Sequence, residues 1–321
     1  MQQILLITFP FFALVLAGFV AGKRAWLPLE AIPGLNGFVL YFALPCMLYR
    51  FGASMPVAQL LDASAFITYL FCALVTVGFA LAISFNARIR WKDASLGALV
   101  AAFPNTGYMG VPLLVALLGA QAAGPAIVTI LADLFVTSSL CLALSTLDTA
   151  DEHGTLRALK NALKGVVVNP MPWAILLGAL SSAIAFEMPK AVAQTVGMLA
   201  DAASPVALFT IGAVLARSQI LTKQGHAEPL RWADYLPIAL VKLILHPLLV
   251  LLVGATAIHL GLPLGKFPLT VMVLVAALPS ASNVAMLAER FEADSGRIAR
   301  IILVTTAASF LTISLAVNWL T

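Results

Sequence analysis

"FPNTGYMGVP", residues 103 to 112, places two prolines, two glycines and an asparagine inside a long apolar run. Proline lacks a backbone donor and clashes with the preceding turn, and within lipid no water is at hand for the carbonyls it frees. Irregular backbone at that depth is tolerated only where protein buries it or where it lines a watery cavity. The stretch therefore reads as a break in a membrane helix. After Pro104, Asn105 and Thr106 bring hydrogen-bonding side chains to the break, and Gly107 and Gly110 permit unusual dihedrals there.

The rest of the chain places that break in a bilayer. Hydrophobic residues make up 62% of the 321 and charged residues 10%, against about 45–50% and about 25% in soluble domains; mean hydropathy is +1.02. Segments 3–22, 34–52, 64–86, 94–119, 124–147, 166–186, 195–217, 235–259, 268–289 and 298–320 each come near the roughly 20 mostly apolar residues a spanning helix needs. The expectation is an all-α polytopic membrane protein with ten transmembrane helices. The first segment has no Lys or Arg before Lys23, so it reads as a retained helix and not a cleaved signal peptide.

Basic residues then orient the chain. Lys23, Arg24, Arg88, Arg90, Lys92, Arg157, Lys160, Lys164, Arg217, Lys223, Arg231, Arg290, Arg297 and Arg300 fall in loops on one side, against Arg50, Lys190 and Lys266 on the other. The positive-inside rule makes the first side cytoplasmic and puts both termini outside the inner membrane. The formal charge of +4 is thus a matter of topology and not a sign of nucleic acid. Trp26, Trp91, Trp232 and Trp319 lie near span ends and read as interfacial belt residues.

The break at Pro104 has a counterpart. Pro10 and Gly18 recur as Pro170 and Gly178, and Pro45 recurs as Pro205, each 160 positions later. "VAAFP", ending at Pro104, recurs as "VAALP", ending at Pro279, 175 positions later. Five spans per half is an odd number, so the second half enters the membrane upside down. The halves read as 1–147 and 166–321, joined by a cytoplasmic linker at 148–165. In transporters built this way, Gly/Pro-interrupted helices at matching positions point to the substrate site. Ser280, Ser282 and Asn283 in "LPSASNVAM" supply polar groups beside Pro279. The half-helix ends at each break favour an anion.

These residues carry a family resemblance. "ALVAAFPNTGYMGVPLL" resembles the fourth-helix signature of the auxin efflux carrier family, and "NPMPWAILLG", "SPVALFTIG", "KLILHPLL" and "ALPSASNVAMLAERF" extend the likeness over most of the chain. The resemblance implies two inverted five-helix repeats related to bile-acid sodium symporters and NhaA-like folds, broken helices 4 and 9 that cross, and elevator-type alternating access. It also implies a small organic anion as substrate, malonate or malate in the bacterial branch, with auxin-like weak acids a further option. Asn105 matches the asparagine that contacts the substrate carboxylate in the family. The plant exporters carry a second proline five residues after the first in span 9, where this chain has Val284. The substrate-binding candidates are Asn105, Thr106, Pro104, Gly107, Pro45, Ser280, Ser282, Asn283 and Pro279.

A charge inside a span demands a reason. Asp133, mid-span in "TILADLFVTSS", is a candidate to bind a coupling proton or sodium ion. Lys242 lies too deep for comfortable snorkelling and could attract the substrate or pair with Asp133; His246, at i+4 from it, shares its helix face. Asp201, near the outer surface, reads as solvated. Cys46, Cys72 and Cys141 sit in apolar segments without CxxC spacing, so buried thiols and no metal site are expected. HExxH, paired acidic clusters and GxSxG are missing, which argues against an intramembrane enzyme. No cofactor is expected beyond a coupling ion. A receptor or passive channel for organic anions is the alternative, and association as a homodimer is left open.

Overall fold

The computed structural model describes residues 2–56, 62–85, 88–145, 167–224 and 231–320. Among these, the helices are α1 Gln2–Lys23, α2 Leu29–Ala53, α3 Ala63–Ser84, α4 Trp91–Ala102, α5 Thr106–Leu118, α6 Ala120–Ser145, α7 Pro170–Ala183, α8 Lys190–Gln224, α9 Trp232–His259, α10 Lys266–Ala276, α11 Asn283–Arg290 and α12 Ser295–Leu320. Seven of them, α1, α2, α3, α6, α8, α9 and α12, are long and apolar enough to cross a membrane. Segments 94–119 and 268–289 are not single helices: each is a pair, α4 with α5 and α10 with α11, parted at the proline. The expected linker at 148–165, with Arg157, Lys160 and Lys164, lies outside the described residues.

Helix starts follow local chemistry. The Asp62 carboxylate accepts from the Ala65 N–H at the head of α3, and the Asn169 side chain accepts from the Met171 N–H at the head of α7, where Pro170 fills the first turn. Among the described residues are four π-turns: Val39–Ala43, Asp133–Thr137 and Val241–Leu245 within α2, α6 and α9, and Thr106–Gly110 at the start of α5. Three of these stand two residues before a proline: Pro45, Pro112 and Pro247. A proline cannot bond the carbonyl four residues back and crowds it, and a widened turn absorbs that conflict. In the fourth, the Ser138 hydroxyl donates to the Asp133 carbonyl at 2.8 Å.

The helices gather into two groups. α1 packs on α8, and α2 packs on α7 and α8. Glycine permits these close crossings: Gly18 faces the Phe209 carbonyl, and Gly178 faces that of Tyr49. Gly212 faces the Val15 carbonyl, and Gly52 that of Ile175. Each contact recurs 160 positions on with the partners exchanged. A Cβ on Gly178 would come within 2.6 Å of the Tyr49 oxygen, so these positions need the small residues that bring membrane helices together.

The second group is α3 to α6 with α9 to α12, and it buries Leu96, Leu99, Leu113, Ile127 and Ile301. One end is knotted by Arg297, and here the loop reading of the sequence is corrected. Arg297 is 2% exposed, and its guanidinium donates to the carbonyls of Asp234 (2.6 Å) and Asp93 (2.9 Å) and to the Ser84 hydroxyl (3.3 Å). It joins the ends of α3, α4, α9 and α12. Gly97 leaves its room: a Cβ there would stand 2.6 Å from Nη1. Trp91 is likewise more than a belt residue, since its indole N–H donates to the Leu144 carbonyl.

Candidate functional site: a crossing of two broken helices

α4 and α10 end where Pro104 and Pro279 forbid continuation, and the two freed segments meet in an antiparallel bridge between Pro104 and Ser280. The Asn105 N–H donates to the Pro279 carbonyl at 2.9 Å, and the Ala281 N–H donates to the Phe103 carbonyl at 3.0 Å. The breaks thus satisfy each other's backbone, which lipid would not do. The Ser280 hydroxyl donates to the Val100 carbonyl at 2.7 Å near the end of α4, and the Ser280 N–H donates to the Thr305 hydroxyl at 3.3 Å. On the far side of the break, the Asn105 carbonyl accepts from the N–H groups of Met109 and Gly110 and opens the π-turn that starts α5.

The side chains beside this bridge are treated differently. Thr106 Oγ1 and Asn283 Oδ1 are buried with no hydrogen-bond partner. The Asn105 amide and the Ser282 hydroxyl, 3% and 5% exposed, bond no other described residue. Buried polar groups are nearly always bonded, and each exception calls for an explanation. Of the sequence-derived candidates, Asn105, Thr106, Ser282 and Asn283 flank the bridge with unmet side chains, whereas Ser280 is committed to bracing α4. Pro104 and Pro279 form the backbone crossing. Gly107 lies beside Met171 of α7, whose Cε would be 3.6 Å from an added Cβ. Pro45 is half-buried at the first turn after the α2 π-turn, in a segment packed on α7 and α8.

A second buried cluster lies between α3, α6 and α9. The Tyr69 hydroxyl donates to Asp133 Oδ2 at 3.0 Å, while Oδ1 has no partner. Lys242 is fully buried and does not snorkel. Its ammonium donates to the Ala276 carbonyl at 2.6 Å and lies 3.4 Å from His246 Nδ1. Ala276 is the last residue of α10, so the ammonium sits at the negative end of a half-helix. The His246 ring is 5.8 Å from that of Tyr69. Asp133 and Lys242 both occupy π-turns, a distortion common at functional sites. The structure therefore brings Asp133, Lys242 and His246 together, but Asp133 takes its hydrogen bond from Tyr69 and Lys242 gives its own to a helix end. Arg50 and Asp201 form an exposed ion pair of 2.7 Å between α2 and α8, of little energetic weight at such a surface.

The sequence profile of a family described as membrane transport protein matches residues 4–317. The chain belongs to this family, that of the auxin efflux carriers. Among its relatives, a Rhizobium meliloti (strain 1021) protein named "Putative malonate transporter" is 27% identical over 98% of this chain and 95% of its own length. A protein of Escherichia coli (strain K12) named "Uncharacterized transporter YfdV" is 27% identical over 88% of this chain and 86% of its own. An "Uncharacterized transporter" of Methanothermobacter thermautotrophicus is 26% identical over 94% and 93%. This membership makes the chain a multi-pass membrane transporter.

Several residues of the two clusters escaped the sequence reading. Tyr69 and Thr137 belong to the Asp133 cluster, and Tyr108 donates to Asn36 Oδ1 at 3.0 Å, tying α5 to α2. Asn36 was the available signal, an amide in an apolar span.

Proposed function

We propose that this transporter is a secondary active carrier of small organic anions, mono- or dicarboxylates such as malonate or malate, in the bacterial inner membrane with both termini outside. The observation that carries the reading is the crossing. Two helices break against each other, their backbones are paired, and four neutral polar side chains beside the pair are left unmet. α5 and α11 begin at the breaks, and the dipoles of half-helix N-termini favour a carboxylate. Asn105 and Asn283 supply amide donors from the two sides. The recurrence of the glycine contacts at 160 positions supports a ten-span build of two inverted halves. In that build, α1, α2, α7 and α8 form the scaffold against which the remaining helices move as an elevator. Asp133, Lys242 and His246 are the coupling groups. The name of the Rhizobium meliloti relative supports malonate as the first acid to try.

Counterflow in proteoliposomes tests this. Trapped unlabelled malonate should accelerate entry of labelled malonate. No acceleration across a panel of small mono- and dicarboxylates sinks the carrier reading, and flux without exchange acceleration points to a channel.

A further inference from the structure

The polar side chains beside the crossing, Asn105, Thr106, Ser282 and Asn283, are neutral. The cation tied to the break is Lys242, bonded to the carbonyl where α10 ends. Carbonyl ends of broken helices are where carriers of this general design hold a coupling sodium ion. Here a tethered ammonium already holds that carbonyl, and a sodium ion placed beside it would meet a fixed like charge in a medium that screens poorly.

The groups around Asp133 can be named element by element. α3 contributes Tyr69 and Cys72, and α6 contributes Thr137 and Cys141. α9 contributes Lys242 and His246, and the charges of Asp133 and Lys242 act on each other. Asp133 is the carboxylate of this set. Its Oδ1, Thr137 Oγ1 and His246 Nε2 are all buried without a hydrogen-bond partner. The Thr137 hydroxyl stands beside the Asp133 carboxylate without closing a short hydrogen bond to it, and buried polar atoms left unmet in this way are uncommon in a purely structural network.

We infer that Asp133 carries a proton together with the transported anion, and that Lys242 is the built-in cation standing where a sodium ion would otherwise bind. The inference rests on the transporter reading above. A proton from water on one side forms an O–H bond at Asp133 Oδ1, within reach of Thr137, while Tyr69 continues to donate to Oδ2. On the other side that O–H bond breaks and the proton returns to water. With Asp133 ionised, its charge offsets that of Lys242. With Asp133 protonated, one positive charge is left at the end of α10, next to the break that leads into the crossing, and it favours an anion there. Proton and anion each strengthen the other's binding, as linkage requires.

The test uses the full-length protein in proteoliposomes with labelled malonate. A pH gradient, acid on the malonate side, should drive accumulation, and a sodium gradient at equal pH should not. Malonate affinity should rise about tenfold from pH 8.5 to 6.5, inside the usual range of site-to-site coupling. Asp133→Asn should keep counterflow, lose pH-driven accumulation and show less than about a twofold change in affinity over that range; it also corrects for the titration of malonate itself. Should that variant fail to fold, Tyr69→Phe should move the midpoint of the pH dependence. Accumulation driven by sodium, pH-driven accumulation surviving in Asp133→Asn, or an unmoved midpoint in Tyr69→Phe overturns the proposal. Absence of counterflow in the wild type removes the transporter reading itself, whereas counterflow without a pH response removes only the proton.

Discussion

The contacts of α1 with α8 and α2 with α7, and the crossing of the two broken helices, are both places where two backbones come unusually close, but they are finished differently. In the first, glycines admit a neighbouring carbonyl, and among the described residues no fully buried side-chain polar atom of these four helices lacks a partner: Tyr49 bonds Ser181, and Ser182 bonds the Met55 carbonyl. In the second, the backbone is paired and the side chains beside it are not. Close packing alone makes a rigid partner. Close packing that leaves polar atoms unmet makes a site, because the cost of those atoms is recovered only when something binds.

That contrast sets an order of expected effects on stability. Gly212→Leu should be the most damaging change. A side chain there collides with the Val15 backbone, which cannot step aside, so the cost belongs at or beyond the upper end of the about 1–3 kcal/mol typical of overpacking. Loss of the monodisperse detergent-solubilised protein is the expected result; a Gly212→Leu protein that melts like the wild type would show that the α1 and α8 contact is not tight. Arg297→Met comes next. It removes the donors to Asp93, Asp234 and Ser84 at once, and stranding buried acceptors costs about 1–3 kcal/mol. A fall in melting temperature of several degrees is expected, and Arg297→Lys should recover only part of it, because an ammonium cannot reproduce the guanidinium fork.

Ser280→Ala should cost less, about 1 kcal/mol for one hydrogen bond to the end of α4. It sharpens the comparison from inside the crossing. If Ser280 braces and does not bind, its variant loses some stability but keeps its affinity for malonate. A large loss of affinity at unchanged stability would return it to the set of ligand-binding residues.

What was legible in the sequence follows from what lipid penalises. Pro104 and Pro279 stood out because a missing donor is costly there, and Asp133 and Lys242 because a charge is. Tyr69 and Thr137 left no such mark, since a lone hydroxyl in an apolar run costs little and its importance comes from a neighbour on another helix. Arg297 was misread for the opposite reason. A basic residue at a span end looks like a topological anchor, and only the meeting of four helix ends, distant in sequence, turns it into a buried knot. Three of the π-turns precede a proline, Pro45, Pro112 or Pro247, but Pro10 and Pro205 sit inside α1 and α8 without one, so proline alone does not foretell them.

Asn105→Ala should change stability least of all. Its side chain bonds no described residue, and the backbone bonds that make the crossing, from its N–H to Pro279 and to its carbonyl from Met109 and Gly110, survive the substitution. Truncating an unbonded amide removes a desolvation cost as well as some contact, so the melting temperature should stay within about 2 °C of the wild type. Transport should nevertheless fall to background, and malonate should no longer raise the melting temperature as it does when it binds the native state. Asn105→Asp separates the two roles further. It keeps shape and acceptors but sets a negative charge where a carboxylate is to bind, so it should be at least as inactive as the alanine variant. If Asn105→Ala instead unfolded the protein, the difference between the glycine contacts and the crossing would be one of degree, and the unmet side chains would be part of how the broken helices hold each other.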